Sequence, residues 1–176
     1  MIVIYECKQT PVMYAKKGRN NIFPDIDLCP NCKAKHRLQR HGFYERNAVE
    51  KDNVYRIPIC RLKCSSCGKT VSLLPDFLIP FYQYTLSVVM KRLKERLVEK
   101  KRQTTDGIRQ LVTFYTKRFV SQLTQVEMFF RDHGKRGVIP GGKEKTINLL
   151  EMISAFGEAS FLRRSRGHFS SNFMAK

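Results

Sequence analysis

Apolar and polar residues alternate over much of the first half of the chain and recur every three to four positions in the second. Period two marks a half-buried strand, and a 3.6-residue repeat marks one face of a helix. Residues 1–5 read as a short apolar strand, and residues 8–28, with Pro11, Gly18, the Asn20-Asn21 pair and Pro24, as a loop. Arg37 to Arg46 can run as a strand, and the polar stretch Asn47 to Asn53 turns the chain. Val54 to Lys63 alternates, with Pro58, Cys60 and Leu62 on one side and Ile57, Ile59 and Arg61 on the other. Pro58 has no backbone donor, which confines this strand to an edge or a bulge. Thr70 to Leu74 follows as a further strand.

The proline-bracketed aromatic run Pro75 to Tyr82 reads as a linker, and beyond it the period changes. Leu86, Val89, Met90, Leu93 and Leu97 share a helix face, with Thr85 as N-cap and Lys91, Arg92, Lys94, Arg96, Lys100 and Lys101 outside the stripe. A polar turn of four or five residues at Gln103 to Gly107 precedes a second stripe of Ile108, Leu111, Val112, Tyr115 and Phe119. Thr124 to Glu127 fits a capping box and predicts a third helix ending at Gly134. Gly137 to Gly142 is a loop, and Lys145 to Phe156 a fourth helix stopped by Gly157. The tail from Phe161 to Met174 interleaves Phe with Arg, which suits either a clamp on a nucleic-acid backbone or half of an interface with another chain. Phe114, Tyr115, Phe119, Phe129 and Phe130 read as core.

The pattern predicts an α+β chain: a ribbon of short antiparallel strands over residues 1–75, a linker over 76–84, and an all-α, helix-turn-helix-like bundle over 85–176.

Four of the six cysteines change the picture of the first region. Cys29-Pro30-Asn31-Cys32 and Cys64-Ser65-Ser66-Cys67 are two C-x₂-C pairs, the spacing at which two thiolates reach one tetrahedral ion. Gly68 suits the left-handed backbone that follows such a knuckle. The 31 residues between the pairs leave room for a long hairpin. One structural Zn²⁺ held by Cys29, Cys32, Cys64 and Cys67 is expected, in a closed shell with no position for a reacting water. His36 and His41 are weaker candidate ligands. Cys60 shares the parity of Leu62 and reads as a core thiol, as does Cys7.

Charge narrows the partner. The chain carries 33 basic and 15 acidic side chains, a net +18. Residues 1–75 hold 14 basic and 6 acidic ones, and residues 86–136 hold 13 and 5, so the excess of 8 is the same in each stretch. Such a spread fits a polyanionic partner. No apolar run spans a membrane and the first residues do not resemble a signal peptide, so no membrane partner is expected. Cysteines at metal spacing argue for a reducing, cytoplasmic setting. No P-loop, nucleophile elbow, HExxH or deaminase pattern occurs, and the later acids fall on helices with no strands to gather them, so no enzyme is expected.

In a helix-turn-helix reading, the second helix enters the major groove of duplex DNA. Its leading face then offers Thr104, Thr105, Asp106, Arg109 and Gln110, Arg109 suiting guanine and Gln110 adenine. Lys100, Lys101, Arg102, Lys117 and Arg118 hold phosphates, and Lys91 and Lys94 are further candidate nucleic-acid contacts. A packing domain with a solvated charged face carries the same pattern. An RNA partner, or an interaction module docking on a separate enzyme, is compatible with the charge.

The run from Cys29-Pro30-Asn31-Cys32 through Arg40-His41-Gly42-Phe43-Tyr44, Arg56-Ile57-Pro58 and Cys64 to Thr70, ending in Leu74-Pro75-Asp76-Phe77-Leu78-Ile79-Pro80-Phe81, resembles a bacterial zinc-ribbon family found alongside insertion-sequence transposases. Phe114-Tyr115, Lys117-Arg118-Phe119, Phe129-Phe130-Arg131 and the closing His168-Phe169 and Phe173-Met174-Ala175 are similar to its helical part. The resemblance implies zinc on the four cysteines and DNA binding in transposition or its regulation, with a separate transposase subunit as a further partner. It does not imply catalysis. Oligomers are compatible with all of these readings.

Overall fold

The chain divides where its hydrophobic period changes, into Met1–Thr85 and Leu86–Lys176. The computed structural model describes residues 1–101, 106–135, 137 and 139–175. Among them are one four-stranded sheet and six α-helices, a mixed α/β chain.

In the first unit, β1 (Ile2–Tyr5), β2 (Leu38–Val49), β3 (Val54–Cys64) and β4 (Thr70–Pro75) lie in the order β1-β4-β3-β2. The β2–β3 and β3–β4 pairs are antiparallel, but β1 runs parallel to β4, with Val3 opposite Leu73 and Ile4 opposite Leu74. This corrects the expectation of a purely antiparallel ribbon. The apolar first strand is half-buried at Ile2 to Ile4 and buried at Tyr5, and it pairs along Ser72 to Pro75 of β4. Nor are all the strands short. β2 and β3 take 12 and 11 residues, the use to which the long inter-knuckle interval is put.

Pro58 sits in the middle of the sheet order, yet its missing donor is harmless. The β3–β4 ladder covers only Cys60 to Lys63, so the earlier half of β3 is an edge on that side. The Tyr14 hydroxyl donates to the Pro58 carbonyl there at 3.1 Å. In a strand the N–H and C=O of one residue point the same way, so a donor on Pro58 would have had no strand partner.

Tyr14 belongs to α1 (Pro11–Lys17), a helix inside the stretch expected to be loop. Thr10 Oγ1 accepts the Met13 N–H and Pro11 occupies the first turn, where its fixed φ costs nothing. Tyr14 is the helix's one buried residue. Its hydroxyl accepts from Tyr5 at 3.3 Å, and its ring meets Phe77 and Phe23 edge-on at 5.6 and 6.5 Å.

The segment read as a linker, residues 76–84, is part of the first unit. Leu78 and Ile79 are fully buried. Asp76 Oδ1 accepts the Cys7 N–H at 3.1 Å, the Val49 N–H donates to Gln83 O at 2.8 Å, and the Thr85 N–H donates to Val49 O at 3.0 Å. Arg46 donates to the carbonyls of Ile79 and Tyr82. Pro75 and Pro80 lie in two turns, closed by the Leu78 N–H on Pro75 O at 3.0 Å and the Tyr82 N–H on Ile79 O at 3.1 Å; Leu78, Ile79 and Tyr82 are buried there, while Phe81 stays exposed.

The second unit holds α2 (Leu86–Leu97), α3 (Asp106–Val120), α4 (Leu123–Asp132), α5 (Gly142–Phe156) and α6 (Glu158–Arg164). The stripes of α2 and α3 are buried at Leu86, Val89, Met90 and Leu93 and at Val112, Tyr115 and Phe119. Among the described residues α2 ends at Leu97 and α3 begins at Asp106, and the turn expected at Gln103 to Gly107 lies largely outside them.

The capping box at Thr124 is not used. The helix starts at Leu123 behind Gln122, and Glu127 instead pairs with Arg131 at 2.6 Å and Lys145 at 2.5 Å. Gln122 breaks α3 from α4 and holds the chain's end: it donates to Ala175 O at 2.9 Å and accepts from the Met174 N–H at 2.6 Å. The tail is therefore core, with Phe161, Phe169, Phe173 and Met174 buried. No described helix is long and apolar enough to cross a membrane.

Candidate metal centre and basic helical face

The two knuckles are built alike. In the first, the Lys33 N–H donates to Cys29 O at 2.9 Å and the Cys29 N–H to Ala34 O at 3.0 Å. In the second, the Gly68 N–H donates to Cys64 O at 2.9 Å and the Cys64 N–H to Lys69 O at 3.0 Å. Both turns need a left-handed residue after the second cysteine, Gly68 at φ 68° and Lys33 at φ 61°. The glycine was expected; the lysine was not, and it carries the strain of an L-residue in that region. Lys33→Gly is expected to raise the stability of the first unit by roughly 0.5–1 kcal/mol, less than the full strain because glycine gains unfolded-state entropy. Gly68→Ala is expected to lower it by a similar amount, since a Cβ there meets nothing within 4 Å and only backbone strain counts. Thermal melts of the metal-loaded chain check both signs.

The four Sγ atoms lie within 4.8 Å of one another, with Cys29 to Cys67 at 3.8 Å and Cys32 to Cys64 at 3.7 Å. A tetrahedral ion with bonds of about 2.3 Å to sulfur requires S···S edges of about 3.8 Å. The cluster can hold one metal ion. The sheet sets this spacing: Cys64 ends β3 opposite Leu38, the first residue of β2, and the Ser65 N–H donates to Arg37 O at 2.9 Å.

Backbone donors prepare the sulfurs for charge. The Lys69 N–H, foremost, pulls the Cys67 thiol down to about 6, and the Cys32 N–H pulls Cys29 below its ordinary value. The Ala34 N–H acts on Cys32 in the same direction, but desolvation and the sulfurs of Cys67, Cys29 and Cys64 together push it up to about 11. Sulfurs this close repel one another as thiolates, and a divalent cation among them removes that repulsion.

The other candidates lie elsewhere. His36 is exposed and faces Asp27 at 3.7 Å, and His41 is exposed in β2; neither is in the cluster. Cys60 is fully buried and Cys7 half-buried, and burial raises both thiols.

On the second unit, Arg109, Gln110 and Lys117 share one exposed face of α3 with Thr113 and Phe114, around a depression of about 370 Å³. Arg118 lies over the Phe114 ring at 5.1 Å. Phe114 is thus a surface residue, 44% exposed, rather than core. Its spacing told as much, four residues after Gln110 and four before Arg118, off the buried stripe.

Lys91 is exposed on α2. Lys94 pairs with Glu158 at 3.0 Å and Lys101 with Glu99 at 2.5 Å, so their charge is met within the chain. Lys100 is exposed with φ 53° just past the helix. Arg102 and Thr105 lie outside the described residues.

No curated protein and no solved structure matches the chain. Residues 29–111, from the first knuckle into α3, match the model of a family described as a domain of unknown function, DUF6431.

Proposed function

We propose that the chain is a zinc-stabilised protein that binds duplex DNA through the exposed face of α3. The observation that carries this reading is the grouping of Arg109, Gln110 and Lys117 on one solvent-facing stripe of a chain with net charge +18. A guanidinium and a carboxamide side by side suit the major-groove edges of guanine and adenine. Lys117, two turns further, and Arg118, steadied on Phe114, suit the flanking phosphates.

The four-cysteine cluster supports a single structural zinc, because thiolates in a tetrahedron are the donor set that ion favours. Its role is to keep the knuckles and sheet in register, with no chemistry at the metal. The resemblance to proteins found beside insertion-sequence transposases favours a place in transposition or its regulation.

The test is duplex binding by the zinc-loaded chain at ~100 mM salt, a condition in which phosphate contacts still count. Arg109→Ala with Lys117→Ala is expected to weaken binding about tenfold or more, since each lost contact is worth ~1–3 kcal/mol at a base and less at a phosphate. Lys94→Ala, whose charge goes to Glu158, is expected to change it less than twofold. If both variants bind like the parent, α3 is not the DNA-reading element.

A further inference from the structure

A second basic feature lies on the first unit, built around a bulge in β2. Arg40 stands opposite Leu62 and Gly42 opposite Arg61, so His41 is an extra residue in the strand, and Gly42 takes φ 142° to allow it. Three residues apart, Arg40 and Phe43 would point to opposite faces of a regular strand. The inserted residue puts both on one face, opposite Leu62 and Cys60 of β3.

The Arg40 guanidinium therefore reaches both Phe43 and Phe23, at 5.9 and 5.7 Å from the ring centres. Arg19, in the turn after α1, comes to the same Phe43 ring at 5.7 Å. The two rings are 5.6 Å apart. Among the described residues neither guanidinium pairs with a carboxylate, and both are exposed. Lys16 and Lys17, in the last turn of α1, add two more exposed cations just before Arg19.

We infer that Arg19 and Arg40 form a phosphate-binding clamp on the first unit, held open by Phe23 and Phe43. Like charges brought to one ring repel, and an anion bound by both offsets that repulsion. The planar fork of each guanidinium binds phosphate oxygens two at a time. Cation–π contact with phenylalanine restrains both guanidinium groups in advance, so less side-chain entropy is lost when the anion arrives. In a chain this basic the phosphate belongs to a nucleic-acid backbone, and that identification rests on the DNA-binding reading; the clamp itself does not.

The test follows the Arg19 and Arg40 side-chain Nε–H resonances of the zinc-loaded full chain by NMR. It uses two titrants: inorganic phosphate and a duplex oligonucleotide. Saturable shifts of both resonances are expected with each, and Arg19→Lys with Arg40→Lys, which keeps the charge but not the fork, is expected to weaken duplex binding about threefold or more. The double alanine variant is expected to lower duplex affinity about tenfold and to reduce the salt slope by about 2. Retained zinc and an unchanged melt show that these variants fold. Shifts with phosphate in a chain that binds no duplex support the clamp and refute the DNA reading. Shifts with duplex alone place a backbone phosphate there. No shift with either titrant, or alanine and lysine variants that bind like the parent, overturns the clamp.

Discussion

Chelating the metal, or replacing Cys64 by Ser, is expected to unfold the first unit while the helical signal of the second remains. Cys64 is buried and belongs to both the knuckle and β3, and Ser65 beside it ties the second knuckle to Arg37 at the entry to β2. A structural zinc contributes on the order of 10 kcal/mol to folding, against a total stability of about 5–15 kcal/mol for a domain. The unit has a real apolar core around Ile57, Ile59, Leu73 and Leu74, but a loss of that size leaves little margin even so. The four sulfurs, relieved of their ion, also repel one another once deprotonated. Residue-resolved hydrogen exchange with parallel metal analysis reads the outcome. One zinc per parent chain is expected, and loss of protection across β2, β3 and β4 when it is removed. Full protection in a chain with no bound metal would show that the sheet stands alone.

Phe129→Ala is the second large effect. The ring is fully buried and meets Phe130, Phe156 and Phe161 edge-on at 5.2, 5.3 and 5.0 Å, with His133 stacked on it at 4.1 Å. With Phe130 beside it, it draws together α4, α5 and α6 through Phe156 and Phe161. Truncating a buried phenylalanine costs about 3–5 kcal/mol, and at ~4–8 °C per kcal/mol for a unit of this length the melt of the helical unit is expected to fall by about 12 °C or more. Phe114→Ala, on the exposed face of α3, is the control and is expected to cost less than about 1 kcal/mol. Equal losses for the two would mean that the bundle's core has been misplaced.

What could be read in the chain followed the reach of each signal. The knuckles were legible because C-x₂-C is a local pattern whose chemistry needs no distant partner. Strands β2, β3 and β4 and helices α2, α3 and α5 were legible from their periods over ten residues or from flanking turns.

α1 was not, because a seven-residue helix with Tyr14 alone buried shows no stripe, although Thr10-Pro11 before it and Lys17-Gly18 at its end were available as cap signals. The segment 76–84 was hidden for the opposite reason. Its prolines spoke locally for a linker, while its burial depends on β2, more than thirty residues away. Gln122 overrode a well-formed capping box through bonds to residues about fifty positions on, which no window on the sequence contains. The bulge at His41 shows only as Gly42, and its consequence, Arg40 and Phe43 on one face, needs the register.

The metal cluster is a geometry that four cysteines and two matching turns bring about, and the exposed face of α3 is the proposed DNA contact. The most direct measurement is the affinity of the zinc-loaded chain for a duplex oligonucleotide across ~50–300 mM salt, where counterion release makes log K fall linearly with log salt. The account predicts a slope of about −4.5, the value for some five neutralised phosphates, and a loss of about tenfold or more on removing Arg109 and Lys117. No measurable duplex binding at ~50 mM salt, or a slope near zero, would contradict it.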